Sequence, residues 1–356
     1  MTENKEKNNR ENSGFFNRFS NAAANLFPGY FALVMATGIV SNASFFLGFQ
    51  TIARALLYLN AFAYVVLWAF LLFRLVRYFP RIVADLDNHA RGPGFFTVSA
   101  GSSVLGTQLM IVAGYTAPAI LLWFVALAVW LIVIYSFMTV ITVRVDKPPL
   151  EKGINGTWLL LTVATQGVAV LGAMIAPNFG EYQDVVLFFS LGMFLLGAMI
   201  YIPLITLIFY RFTFLSLSTQ DLTPPYWINM GAVAITTLAG SKLILSSNEL
   251  FILQKILPFL QGFTIFFWAW GTWWIPLLLL LGFWRHGVKR FPLRYDPQYW
   301  GMVFPLGMYT ACTFQLSKAL EYERLMAIPR VFIYVAIAAW IVVFAGMVIS
   351  FFKRES

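Results

Sequence analysis

The chain has 356 residues, 60% hydrophobic and only 11% charged, which excludes a soluble globular domain and points to a polytopic α-helical membrane protein. The net charge of +9 comes from Lys and Arg scattered through short loops, so it reflects membrane orientation and not nucleic-acid binding. Cys312 is the sole cysteine, and no internal disulfide can form.

Residues 1–27 are polar, without the apolar core of a signal peptide, and read as a cytoplasmic tail. Ten apolar runs follow, each near the ~20 residues a helix needs to cross the hydrocarbon. They lie at 28–49, 54–77, 94–114, 117–143, 154–176, 184–211, 225–247, 256–284, 298–318 and 329–352. Residues 28–352 thus form one transmembrane domain, and 353–356 a second short tail. The runs are continuous, not alternating, which argues against a β-barrel. Of the 24 Lys and Arg, 18 fall in the two tails and in every second connection. Arg54, Lys242, Lys255, Lys318, Arg324 and Arg330 are the other six. This bias places both termini in the cytoplasm of a plasma-membrane protein.

Odd and even spans differ. The even ones are uniformly greasy, as in "LYLNAFAYVVLWAFLLF". The odd ones are rich in Gly, Ser, Thr and Ala, and they begin alike: "GYFALVMATGIVS", "GFFTVSAGSSVLG", "GTWLLLTVATQGV", "PYWINMGAVAITT" and "QYWGMVFPLGMYT". Phe31, Phe96, Trp158, Trp227 and Trp300 mark the same point in each, at steps of 65, 62, 69 and 73 residues. The pattern is a helical hairpin repeated five times. Greasy helices suit lipid, and small or hydroxyl-bearing ones suit close packing or a wet lumen. The expected architecture is an all-α membrane protein of ten transmembrane helices, with an inner ring of five odd helices around a pore. Close packing alone is the ordinary reading of any single Gly or Ala; five helices alike favour the pathway.

All 15 acidic residues sit in tails, loops or span ends. Cation pathways usually keep a carboxylate at membrane depth, so its absence argues for an anion path lined by donors. The candidate donors are Thr37, Ser99, Ser102, Ser103, Thr107, Gln108, Thr165, Gln166, Thr236 and Thr310, with Lys242 near an outer mouth. The competing reading of each hydroxyl is a bond back to its own helix, and of Lys242 a side chain that snorkels to the interface. Both histidines, His89 and His286, lie in loops, and no cluster has metal or haem spacing. No phosphate-binding loop or nucleophile–base pair is visible, so an enzyme and a cofactor are not expected.

The ninth span holds Phe304 and Pro305. Proline removes a backbone hydrogen bond and bends its helix, and a rigid ring beside it in a narrow lumen acts as a hydrophobic plug. The stretches "YWGMVFPLGMYT" and "PGYFALVMATGIVS" resemble the tellurite-resistance/dicarboxylate transporter family, which holds TehA-type and plant slow anion channels and fungal malate and sulfite permeases. The likeness covers spans one to ten, and the second stretch is similar to the bacterial C4-dicarboxylate-type branch. It implies ten helices in five hairpins, a pore through each protomer, a homotrimer, and Phe304 as the counterpart of a pore-blocking Phe. The expected function is an anion channel or permease in the lipid bilayer, passing chloride, nitrate, malate or other C4-dicarboxylates through a gate at Phe304 and Pro305. The alternatives are a proton-linked malate carrier and a sulfite- or tellurite-related exporter.

Overall fold

The computed structural model describes residues 19–353 and is helical, with no strand among the described residues. Residues 1–18 and 354–356, with Lys5, Lys7, Arg10, Arg18 and Arg354 of the charge bias, lie outside the described residues. Ten long helices, named here α1 to α10, are Ala32–Phe46, Gln50–Arg77, Phe96–Gln108, Thr116–Val143, Leu160–Ile175, Gln183–Phe214, Ile228–Leu245, Leu257–Phe283, Trp300–Ala319 and Ala327–Lys353. Eight segments are long and apolar enough to cross a membrane on length and composition. One of these, Gly156–Phe214, holds both α5 and α6, separated where Gly180 leaves helical geometry at φ 54°. Helix α9 is not among the eight, because Trp300, Pro305, Tyr309, Gln315 and Lys318 lower its hydropathy.

The aromatic marker of each repeat has a structural meaning. Each odd helix is entered through a short 3₁₀ turn: Pro28–Phe31, Gly92–Phe95, Gly156–Leu159, Pro224–Trp227 and Pro297–Tyr299. Proline within the first two positions fixes φ in four of them. The Gly156 turn is capped instead by Asn155, whose Oδ1 accepts the Thr157 amide at 2.8 Å.

Each odd helix packs on the even helix that follows it, and the odd helices also touch in a closed cycle: α1 to α3, α5, α7, α9 and back to α1. The five 3₁₀ turns touch in the same cyclic order. In the α1, α3 and α7 segments 83–89% of the most apolar window is buried, against 17–28% in α2, α4, α8 and α10. Small residues let the inner helices approach closely. A Cβ on Gly231 would stand 2.7 Å from the Pro305 ring, so α7 meets α9 there without room for a side chain.

Outer helices are fastened to the inner helix of the next repeat by an aromatic donor. Tyr64 of α2 donates to Ser102 Oγ at 2.8 Å, and Trp130 of α4 to Thr165 Oγ1 at 2.8 Å. Tyr201 of α6 reaches the Asn229 carbonyl at 3.2 Å, and Trp268 of α8 reaches Thr313 Oγ1 at 3.1 Å. Trp340 of α10 closes the series on Thr37 Oγ1 of α1 at 3.0 Å. Each of these five donors thus finds its acceptor on a neighbouring helix, a contribution of about 1 kcal/mol apiece.

Candidate functional site

The cycle of 3₁₀ turns surrounds a narrow recess, with free space of about 20 Å³, at the end of the bundle that carries most of the Lys and Arg. All five repeats line it, through Ala32 and Met35, Thr97, Leu160, Ile228, and Gly301 with Phe304. Every odd helix therefore directs its N-terminal end at one small volume. The aligned helix dipoles make such an end positive, while turn amides such as those of Tyr30, Thr157, Tyr226 and Gln298 are already paired within the turns. No group of His, Cys, Asp or Glu able to hold a metal is found among the described residues.

Phe304 lines the recess and is only 1% exposed. Its neighbour Pro305 lies inside α9 and packs its ring on Gly231. The mouth is held rigid by backbone approach: a Cβ on Gly156 would collide with the Pro225 carbonyl. Arg211, 4% exposed, bolts the end of α6 to two of the turns, donating from Nη1 to the Ile154 carbonyl at 2.6 Å and to the Tyr226 hydroxyl.

Beyond Phe304, helical phase places Lys242 on the stripe of Ile228, and Gln315 on the stripe of Phe304. Neither side chain has a hydrogen-bond or ion-pair partner among the described residues.

The remaining sequence candidates are dispersed. Thr37, Ser102 and Thr165 accept the aromatic donors from outer helices. Ser99 donates to the Ala126 carbonyl of α4 at 2.8 Å. Thr236 and Thr310 donate to carbonyls four residues back, Ala232 and Leu306. Thr107 donates to the Val104 carbonyl and accepts Asn42 Nδ2, while Gln108 accepts Asn60 Nδ2 at 2.7 Å. Gln166 donates to the Phe194 carbonyl of α6 at 2.9 Å, and its Oε1 is unpartnered. Ser103 Oγ is buried and unpartnered, against Gly167 of α5. Met35, Leu160 and Ile228 escaped a search for donors because they are apolar. The available signal was positional: in four repeats the residue just after the aromatic marker, namely Ala32, Thr97, Ile228 or Gly301, lines the recess.

Residues 25–348 match the family model described as voltage-dependent anion channel. The chain belongs to the voltage-dependent anion channel family. It is therefore a multi-pass membrane transport protein and not an enzyme. An uncharacterised membrane protein of Mycobacterium tuberculosis is 38% identical over 149 residues, 42% of this chain and 75% of that protein. An uncharacterised transporter of Methanocaldococcus jannaschii is 25% identical over 312 residues, 84% of this chain and 87% of its own length. The malic acid transport protein of Schizosaccharomyces pombe is 22% identical over 351 residues, 92% of this chain and 78% of that protein.

Proposed function

We propose that small anions cross the membrane along the axis of the α1–α3–α5–α7–α9 cycle, and that Phe304 is the plug that closes it. The observation that carries this reading is the recess itself, ringed by five helix N-termini and lined by a buried aromatic ring. The converging N-termini draw an anion in, and the apolar collar of Met35, Leu160, Ile228 and Phe304 bars it until the ring moves. Pro305, packed on Gly231, supports the ring from behind. Lys242 and Gln315 supply an unpartnered cation and amide on the far side. The charge bias supports a cytoplasmic side for the recess and both termini.

A second reading is a proton-linked carrier for malate or another C4-dicarboxylate. Similarity to a malic acid transport protein favours it, and a protonated substrate would carry the proton without an acidic side chain at membrane depth. The test is flux through liposomes holding the purified protein, with chloride, nitrate and malate at two pH values. Non-saturating chloride or nitrate flux establishes the channel. Saturable malate uptake that follows the pH gradient establishes the carrier. Flux of none of the three anions removes both readings.

A further inference from the structure

Three even helices carry, in or just after their last turn, an arginine that is followed ten or eleven residues later by an aspartate: Arg74 and Asp85, Arg211 and Asp221, Arg285 and Asp296. In the first pair Arg74 Nη2 lies 2.7 Å from Asp85 Oδ2, and in the second Arg211 Nη2 lies 3.6 Å from Asp221 Oδ1. The third pair is not made. Asp296 instead caps the turn before α9, its Oδ1 accepting the Gln298 amide at 2.8 Å. Arg285 is only 8% exposed, yet its side chain has no hydrogen bond or ion pair among the described residues, and its Nε is fully buried. Its guanidinium carbon lies 4.2 Å from the centre of the Phe291 ring. One face is thus covered by an aromatic ring, and the hydrogen-bonding edge is unpaired. A buried Nε without an acceptor is costly, and the guanidinium fork matches a carboxylate or phosphate.

Arg285 lines a cavity of about 170 Å³ between the end of α8, the start of α9 and the connection from α6 to α7. The other walls include Trp227, Leu278, Leu281 and Met302, and α8 is largely uncovered along its length. The cavity is separate from the axial recess: Pro224 and Tyr226 face the cavity while Pro225 faces the recess, and Tyr299 and Met302 face the cavity while Gly301 and Phe304 face the recess.

We propose that this cavity binds the single oxyanion of an amphiphile, a lipid phosphate or a fatty-acid carboxylate, with Arg285 pairing the head and Leu278, Leu281 and Met302 bedding the apolar chain. The site does not depend on the transport reading. Native mass spectrometry of the purified full chain tests it, with phosphatidylglycerol, phosphatidylcholine, oleate and inorganic phosphate as separate probes. Two variants accompany the wild type. Arg285→Gln removes the charge. Gly282→Leu projects a side chain into the cavity, where a Cβ would meet nothing within 4 Å. The wild type is expected to retain phosphatidylglycerol or oleate at one per chain, and each variant to retain it about tenfold less. Retention of phosphatidylglycerol alone identifies the bilayer as the source, and of oleate alone a free fatty acid. Equal retention of phosphatidylcholine, binding of inorganic phosphate alone, or wild-type retention in either variant overturns the proposal. If Arg285→Gln does not fold, Gly282→Leu decides.

Discussion

Replacing Arg211 by Leu removes the bolt between α6 and the recess mouth. The guanidinium donates to the Ile154 carbonyl, just before the third mouth turn, and to the Tyr226 hydroxyl, inside the fourth. Hydrogen bonds from a charged donor contribute about 1.5–3 kcal/mol each. The ion pair with Asp221 adds little, because it spans 3.6 Å and the Asp221 side chain is 43% exposed, so water screens it. Leucine restores apolar volume but leaves the carbonyl and the hydroxyl without their donor. The net loss is expected at about 3–5 kcal/mol, the range for breaking a buried charged contact from one side. Arg211→Lys keeps the charge but loses the fork, and is expected to fall between the two. Equilibrium unfolding in mixed micelles reads both values. A loss below about 1 kcal/mol in Arg211→Leu would refute the reasoning that this side chain holds the mouth together.

Three further outcomes are expected. Asp221 has its carboxyl held below the ordinary carboxylate range, chiefly by hydrogen bonds from the Ser218 hydroxyl, assisted by the Ser218 amide and Arg211 against opposition from partial burial. Its folded-state pKa is depressed, so its contribution is present above the ordinary value of about 3.9 and disappears as pH falls through the lower folded value. Asp221→Asn should therefore flatten the acid limb of a stability–pH curve, and an unchanged limb would count against that role. Gly156→Val should destabilise by about 1–3 kcal/mol or more, because its Cβ meets the Pro225 carbonyl and not a yielding side chain; wild-type unfolding would show that the mouth can spread. Lys242→Ala should lower anion flux by about tenfold with the unfolding midpoint unchanged, since no ion pair is lost. A lower midpoint with normal flux per folded molecule would assign Lys242 to packing.

Much of the architecture was legible because two periodicities coincide in the chain. The alternation of greasy and small-residue spans tracks burial: α7 is enclosed while α8 faces outward. The aromatic markers locate the 3₁₀ turns because a rigid ring, with proline in four of the five, fixes the entry to the odd helix. The direction of the hydroxyls was not legible. Composition tells that α1 and α5 carry threonines; it does not tell that Thr37 faces Trp340 and Thr165 faces Trp130, which depends on where the outer helices lie. Apolar recess residues such as Met35 and Ile228 look like ordinary span residues until five helix ends converge. The buried arginines were hidden for another reason. Arg74, Arg211 and Arg285 serve the orientation bias, and charge counting cannot separate an arginine in water from one beneath an aromatic ring.

Closure of an anion path by Phe304 is tested most directly at Phe304 itself. The most direct measurement is chloride and nitrate flux into liposomes for wild type and Phe304→Ala, normalised to folded protein. Flux is expected to rise about tenfold or more in the variant, the change given by a barrier lowered by ~1.4 kcal/mol. Flux equal to wild type in correctly folded Phe304→Ala would contradict it.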